Sequence, residues 1–197
     1  MHSFRSAFFL FIFVLVLAIV VALPKETSPP VGSDNLGIST SAALFGYSSS
    51  SQIAFVSRVI DGDTIEVEPI DSTTGDLGVK EKVRYLGMDT PETVDPQKPV
   101  ECFGHEASAR NKALVEGGYV LLRKDISDKD KYGRLLRFVY RLDGIFIDLE
   151  LVKEGYAREF DIPPDTKYAD AFAAAEQSAR AARLGFWGAC SSYPFTE

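Results

Sequence analysis

The chain has 197 residues, 46% of them hydrophobic, 25% charged and 12% aromatic, with a formal net charge of −7. That is enough for one domain with a real core, and it excludes a disordered or fibrous protein. The acidic balance also argues against a generally basic nucleic-acid coat protein, although a local positive patch is compatible with it.

Residues 7–23 are an uncharged apolar block preceded by the single charge of Arg5 and followed by Pro24 and a polar stretch, the order of an export signal. At ~1.5 Å per residue such a helix covers about 25 Å, short for a membrane span and slightly long for a signal core. Segment 1–23 therefore reads as either a signal peptide or a membrane anchor. In both cases the main domain is expected outside the cytoplasm, secreted or membrane-anchored. Residues 24–52, rich in Ser, Gly, Pro, Thr and Ala, read as a flexible linker. The remaining 53–197 has the length of one domain.

Within that domain, residues 53–60 and 64–70 alternate apolar and polar side chains around Asp61-Gly62, a hairpin signal. Residues 82–88 read as a third strand, after a loop over 71–80 whose acidic residues lack the spacing of an EF-hand. A helix is expected over 106–116, stopped by Gly117-Gly118, and strands over 119–123 and 135–140. A short helix over 146–153 ends at Gly155, and an Ala-rich helix over 168–184 ends at Gly185. Five strands with a helix after the third suggest an α+β fold, a five-stranded β-barrel of the oligonucleotide and oligosaccharide-binding type (OB-fold) with about three helices, preceded by the N-terminal hydrophobic helix.

Cys102 and Cys190 are the two cysteines. In an exported chain a disulfide is favoured over free thiols or a metal site, and in the chain-entropy model so long a loop is worth at most about 4 to 5 kcal/mol. Charge is unevenly spread: residues 53–109 carry five basic and twelve acidic residues, 110–141 nine and four, and 142–197 five and ten. A basic segment beside acidic ones in one barrel suits a cation and an anionic ligand held side by side.

Three stretches concentrate the chemistry: Val59-Ile60-Asp61-Gly62-Asp63-Thr64, Arg84-Tyr85-Leu86-Gly87-Met88-Asp89-Thr90-Pro91-Glu92-Thr93 and Asp130-Lys131-Tyr132-Gly133-Arg134. With Gly104-His105-Glu106-Ala107 and Leu184-Gly185-Phe186-Trp187, they make the chain resemble the staphylococcal nuclease (thermonuclease) family over essentially all of 53–197. Phosphodiester hydrolysis needs positive charge on the phosphoryl oxygens, a positioned water and a path for its proton. Asp63 and Asp89 are candidate carboxylate ligands, with the Thr90 carbonyl as a third; an all-oxygen set without His or Cys selects calcium or magnesium over zinc, and the resemblance implies Ca2+. It also implies that Glu92 orients the attacking water and that Arg84 and Arg134 bind phosphate. Lys131 and Tyr132 match positions that contact a terminal phosphate.

Asp61 reads as a turn residue and His105 as structural. Where the family has base-stacking aromatics this chain has Glu159-Phe160-Asp161-Ile162-Pro163-Pro164, leaving Phe160, Tyr156 and Tyr168 as substitutes. The expected function is that of a monomeric, exported, calcium-dependent nuclease acting on DNA and RNA with low sequence specificity, and the family resemblance implies 3′-phosphate products. A membrane contact is possible through residues 7–23. The alternative is a catalytically inactive OB-fold module that binds nucleic acid or protein at the cell envelope. Such a module has no need of Asp63, Asp89, Glu92, Arg84 and Arg134 together.

Overall fold

The computed structural model describes residues 51–93 and 99–191. The hydrophobic helix expected over 7–23 and most of the expected linker lie outside the described residues. No helix among the described residues is long and apolar enough to cross a membrane.

The elements follow in the order β1 (Ser51–Val59), β2 (Thr64–Pro69), β3 (Glu81–Tyr85), β4 (Met88–Asp89), α1 (Gly104–Val115), β5 (Tyr119–Arg123), β6 (Leu135–Arg141), α2 (Ile147–Lys153), β7 (Arg158–Glu159), α3 (Ala169–Ala181) and α4 (Phe186–Ala189). Five strands close into a barrel in the order β1-β2-β3-β6-β5, with β1 returning to pair with β5. All neighbours are antiparallel except β3 and β6, which run parallel through Val83↔Leu135 to Tyr85↔Arg137. The α+β, OB-type barrel is thus as expected, and α1, α2 and α3 are the three expected helices.

Alternation along the strands fills the barrel: Ala54 and Val56 on β1, Ile65 and Val67 on β2, and Val120 and Leu122 on β5 are essentially inaccessible. Leu151 and Val152 of α2 and Phe172 of α3 extend this core outward. There Phe138 meets Tyr168 with ring centroids 4.7 Å apart and Phe172 at 6.4 Å. Each such ring removes on the order of 2–3 kcal/mol worth of apolar surface from water.

Three boundaries differ from the sequence reading. β1 begins two residues before the alternation, because Ser51 and Gln52 still pair with Arg123 and Leu122. The third strand is not continuous over 82–88; it breaks at Leu86-Gly87, where Gly87 takes φ +75° and the Phe172 ring fills the space a Cβ would need. Beyond the break, Met88–Asp89 pairs with β7 instead of the barrel. The last long helix stops three residues short of 184: the chain turns at Arg183 (φ 54°), and the Leu184 amide bonds to the Ala179 carbonyl.

Candidate active site

Asp63 is placed by the β1–β2 turn. The amides of Ile60 and Asp61 both donate to the Thr64 carbonyl, and the Asp61 carboxylate accepts the Asp63 amide at 3.1 Å, so Asp61 does serve the bend as expected. Gly62 is required by proximity, since a side chain there would collide with that of Thr90. Asp63 is buried, and its own carbonyl accepts the Tyr85 amide, which fixes it beside β3.

From β3, Arg84 reaches across with its guanidinium fork. Nη1 lies 2.8 Å from Asp63 Oδ2 and donates to the Met88 carbonyl at 3.1 Å, while Nη2 donates to Asp89 Oδ1 at 2.8 Å. Thr90 supplies its amide and hydroxyl to Asp63 Oδ2, each at 3.2 Å. The break in the third strand makes this possible: it swings Asp89 and Thr90 back over the β2 end. Asp63, Arg84 and Thr90, all buried, and the partly buried Asp89 are therefore one cluster, with arginine between the two carboxylates.

Arg134 arrives from the turn before β6. Asp130 accepts the amides of Tyr132 and Arg134 at 2.9 Å each and the Arg134 Nε at 2.7 Å. Against the upward push of burial, these bonds from Arg134 hold the Asp130 carboxyl below its usual range. Arg134 Nη1 donates to Thr64 Oγ1 at 3.4 Å, and that hydroxyl donates to Asp63 Oδ1 at 3.0 Å, so both arginines converge on Asp63. Lys131 and Tyr132 sit on the same turn; the Tyr132 ring is 71% exposed, with the Lys131 ammonium 5.0 Å from its centroid.

Glu92 follows the buried Pro91 and pairs its backbone with Glu101. Its amide donates to Glu101 Oε2, and its carbonyl accepts the Glu101 amide, both at 2.9 Å. Next to Glu101, Cys102 is joined to Cys190 in a disulfide spanning 88 positions. The Glu92 backbone is thereby linked, through Glu101 and Cys102, to the segment after α4.

Charge is crowded here. Burial, then the neighbouring Asp63 carboxylate, push Asp61 up to about 7. Burial also raises Asp89, with Arg84 opposing and Asp63 reinforcing. Among the described residues, no three His, Cys, Asp or Glu side chains converge as a finished metal centre.

Several participants escape sequence reasoning. Arg158 on β7 holds Asp89 Oδ2 from the other side, Nη2 at 3.0 Å and Nε at 3.3 Å. No local pattern points to it, because the contact spans 69 positions and depends on a two-residue strand pair. Thr64, Glu101 and Asp130 were within reach of the motifs but gave no chemical signal of their own. Of the three substitute aromatics, Tyr168 is packed on Phe138 and Phe146, and Tyr156 on Phe103. Phe160, 39% exposed, lies with its ring centroid 5.2 Å from the Arg158 guanidinium, on the Asp89 side of the site.

A family model described as staphylococcal nuclease homologue matches residues 82–189. Endonuclease YncB of Bacillus subtilis is 46% identical over 132 residues, 66% of this chain and 59% of that protein. The prophage-derived endonuclease YokF of the same species is 45% identical over 66% of this chain and 42% of its own. The thermonuclease of Staphylococcus intermedius is 41% identical over 67% of this chain and 74% of its own. The chain thus spans less than two thirds of the length of the first two relatives.

Proposed function

The chain belongs to the staphylococcal nuclease family, and from that premise we propose that it is a phosphodiester hydrolase, an endonuclease acting on DNA and RNA with low sequence specificity. The observation that carries this reading is the single cluster of Asp63, Asp89, Arg84 and Arg134, with Glu92 on the segment that follows it. An inactive binding module gains nothing from crowding like charges around two guanidinium groups. The intact set favours the enzyme.

The donor set is oxygen only, and a hard divalent cation favours the ionised carboxylates that burial first, and the Asp63 charge after it, disfavour at Asp61 and Asp89. Asp63 and Asp89, with the Thr90 carbonyl, are the residues proposed to hold it, and calcium suits their small number. When bound, such a cation polarises a phosphoryl oxygen and acidifies a water.

The side chains divide the remaining work. Arg134 keeps Nε on Asp130 and Nη1 on Thr64, while Nη2 makes no hydrogen bond among the described residues and is available to a phosphoryl oxygen. The Arg84 guanidinium, aligned by Asp63, Asp89 and the Met88 carbonyl, is proposed to neutralise charge that develops in the transition state. Glu92 is proposed to orient the attacking water and take its proton, with its backbone fixed by Glu101. Export from the cytoplasm completes the proposal, supported by the Cys102–Cys190 bond and the apolar block over 7–23.

The test is degradation of single-stranded DNA by the full chain with calcium and with excess chelator. Cutting is expected only with the metal, and the Asp63→Ala, Asp89→Ala double variant is expected to be inert. Full activity of that variant overturns the site assignment, and equal activity in chelator overturns the metal requirement.

A further inference from the structure

Between β3 and the Asp130–Arg134 turn runs a groove of about 250 Å³. Lys80, Lys82, Lys129, Tyr132 and Arg134 line it, and Glu81 is its one carboxylate. In a chain of net charge −7 this is a marked local excess of cations. Lys80 is shared with Glu66 at 3.1 Å and Glu68 at 3.7 Å, and Lys129 is held by Glu81 at 3.2 Å. Lys82 is exposed and has no ion pair among the described residues. The groove shares Arg134 with the cluster, where its Nη1 lies on Thr64, while Asp63 and Asp89 are not among its lining residues.

Cleaving one phosphodiester needs charge only at the reacting phosphate. Arg84 and Arg134 already provide it, so the three lysines that line the groove with Arg134 are surplus to the chemistry. A single strand presents further phosphates on both sides of the one being cut, and the exposed Tyr132 ring in the groove gathers two cations, Lys131 at 5.0 Å and Arg134 at 5.4 Å from its centroid. We propose that this groove is a track for the phosphates flanking the scissile one, through which single-stranded nucleic acid is held and longer strands are preferred over short ones. The inference rests on the nuclease reading and extends it to Lys80, Lys82 and Lys129.

The test measures binding by the full chain of a fluorescent 12-nucleotide oligothymidylate and of a thymidine dinucleotide, at several salt concentrations, with chelator present to halt cutting. Lys82→Ala and Lys129→Ala are each expected to weaken the 12-mer roughly three- to tenfold and to lower the slope of log affinity against log salt by about 0.7, the value for one contact to a single strand. Dinucleotide affinity is expected to stay within twofold. Glu81→Gln is expected to tighten the 12-mer by a similar factor, a gain that a misfolded variant cannot produce. Equal loss for both ligands, or no change in either, overturns the track. A native chain that neither binds nor cuts the 12-mer overturns the nuclease reading itself and removes the basis of the track.

Discussion

Asp148 is fully buried; one carboxyl oxygen accepts the Val139 amide at 2.8 Å, and the other has no hydrogen-bond partner. Burial pushes this carboxyl well above the usual range, so the folded protein keeps a proton that the unfolded chain gives up. Because the folded value is the raised one, the contribution is fully present below the unfolded carboxylate range and is lost as pH rises toward the folded value. Asp148→Asn should remove this dependence. Urea denaturation across the pH range is expected to show the variant gaining on the native protein by up to about 1.4 kcal/mol per pH unit, and parallel curves would count against a neutral Asp148. Arg134 makes a different prediction. Lysine has one nitrogen in place of the guanidinium's three and cannot reach Asp130, Thr64 and a phosphoryl oxygen at their separate positions, so Arg134→Lys should lower kcat by about 10² to 10³ while leaving the denaturation midpoint nearly unchanged. At this scale the motif residues were legible in the sequence because chemistry restricts their type. Arg158 was not, because an arginine on a two-residue strand looks like any surface cation until Asp89 is seen beside it.

The decisive element is the interrupted third strand. Had it run on to Met88, Asp89 would have stayed in the barrel wall instead of folding back to Arg84. Gly87→Ala adds a Cβ at φ +75° where the Phe172 ring already lies, and combines backbone strain with overpacking. A loss of about 2 to 4 kcal/mol in urea denaturation is expected, with activity falling more steeply than stability because Asp89 moves. Activity unchanged in the folded variant would show that the break does not position Asp89. Strands and helices with clear period-2 or period-3.6 patterns were readable to within a few residues. The break was hidden because 82–88 is continuously compatible with a strand, and the interruption goes with the packing of Gly87 against Phe172, 85 positions later. β7 and α4 were hidden for a similar reason: both are too short to show a period.

For the whole molecule, the Cys102–Cys190 bond ties the start of α1 to the end of α4. Replacing both cysteines with serine is expected to lower stability by up to about 4 kcal/mol, read from the denaturant midpoint of oxidised protein, and reductant should reproduce the loss in the native chain. Insensitivity to reductant would mean the cross-link adds nothing. The barrel's strand order has a consequence in time. β2 pairs with both β1 and β3, so the first three strands, with Asp63 and Arg84, can zip up from neighbouring contacts. Closure must wait for β5 to meet β1 and β6 to meet β3, across long loops whose entropy is lost before the new hydrogen bonds form. Arg134 enters with that last step. Asp89 is likewise placed only when β4 pairs with β7 and Gly87 packs on Phe172, so a chain halted after β5 in synthesis would carry Asp63 and Arg84 without the contacts that position Asp89 and without Arg134.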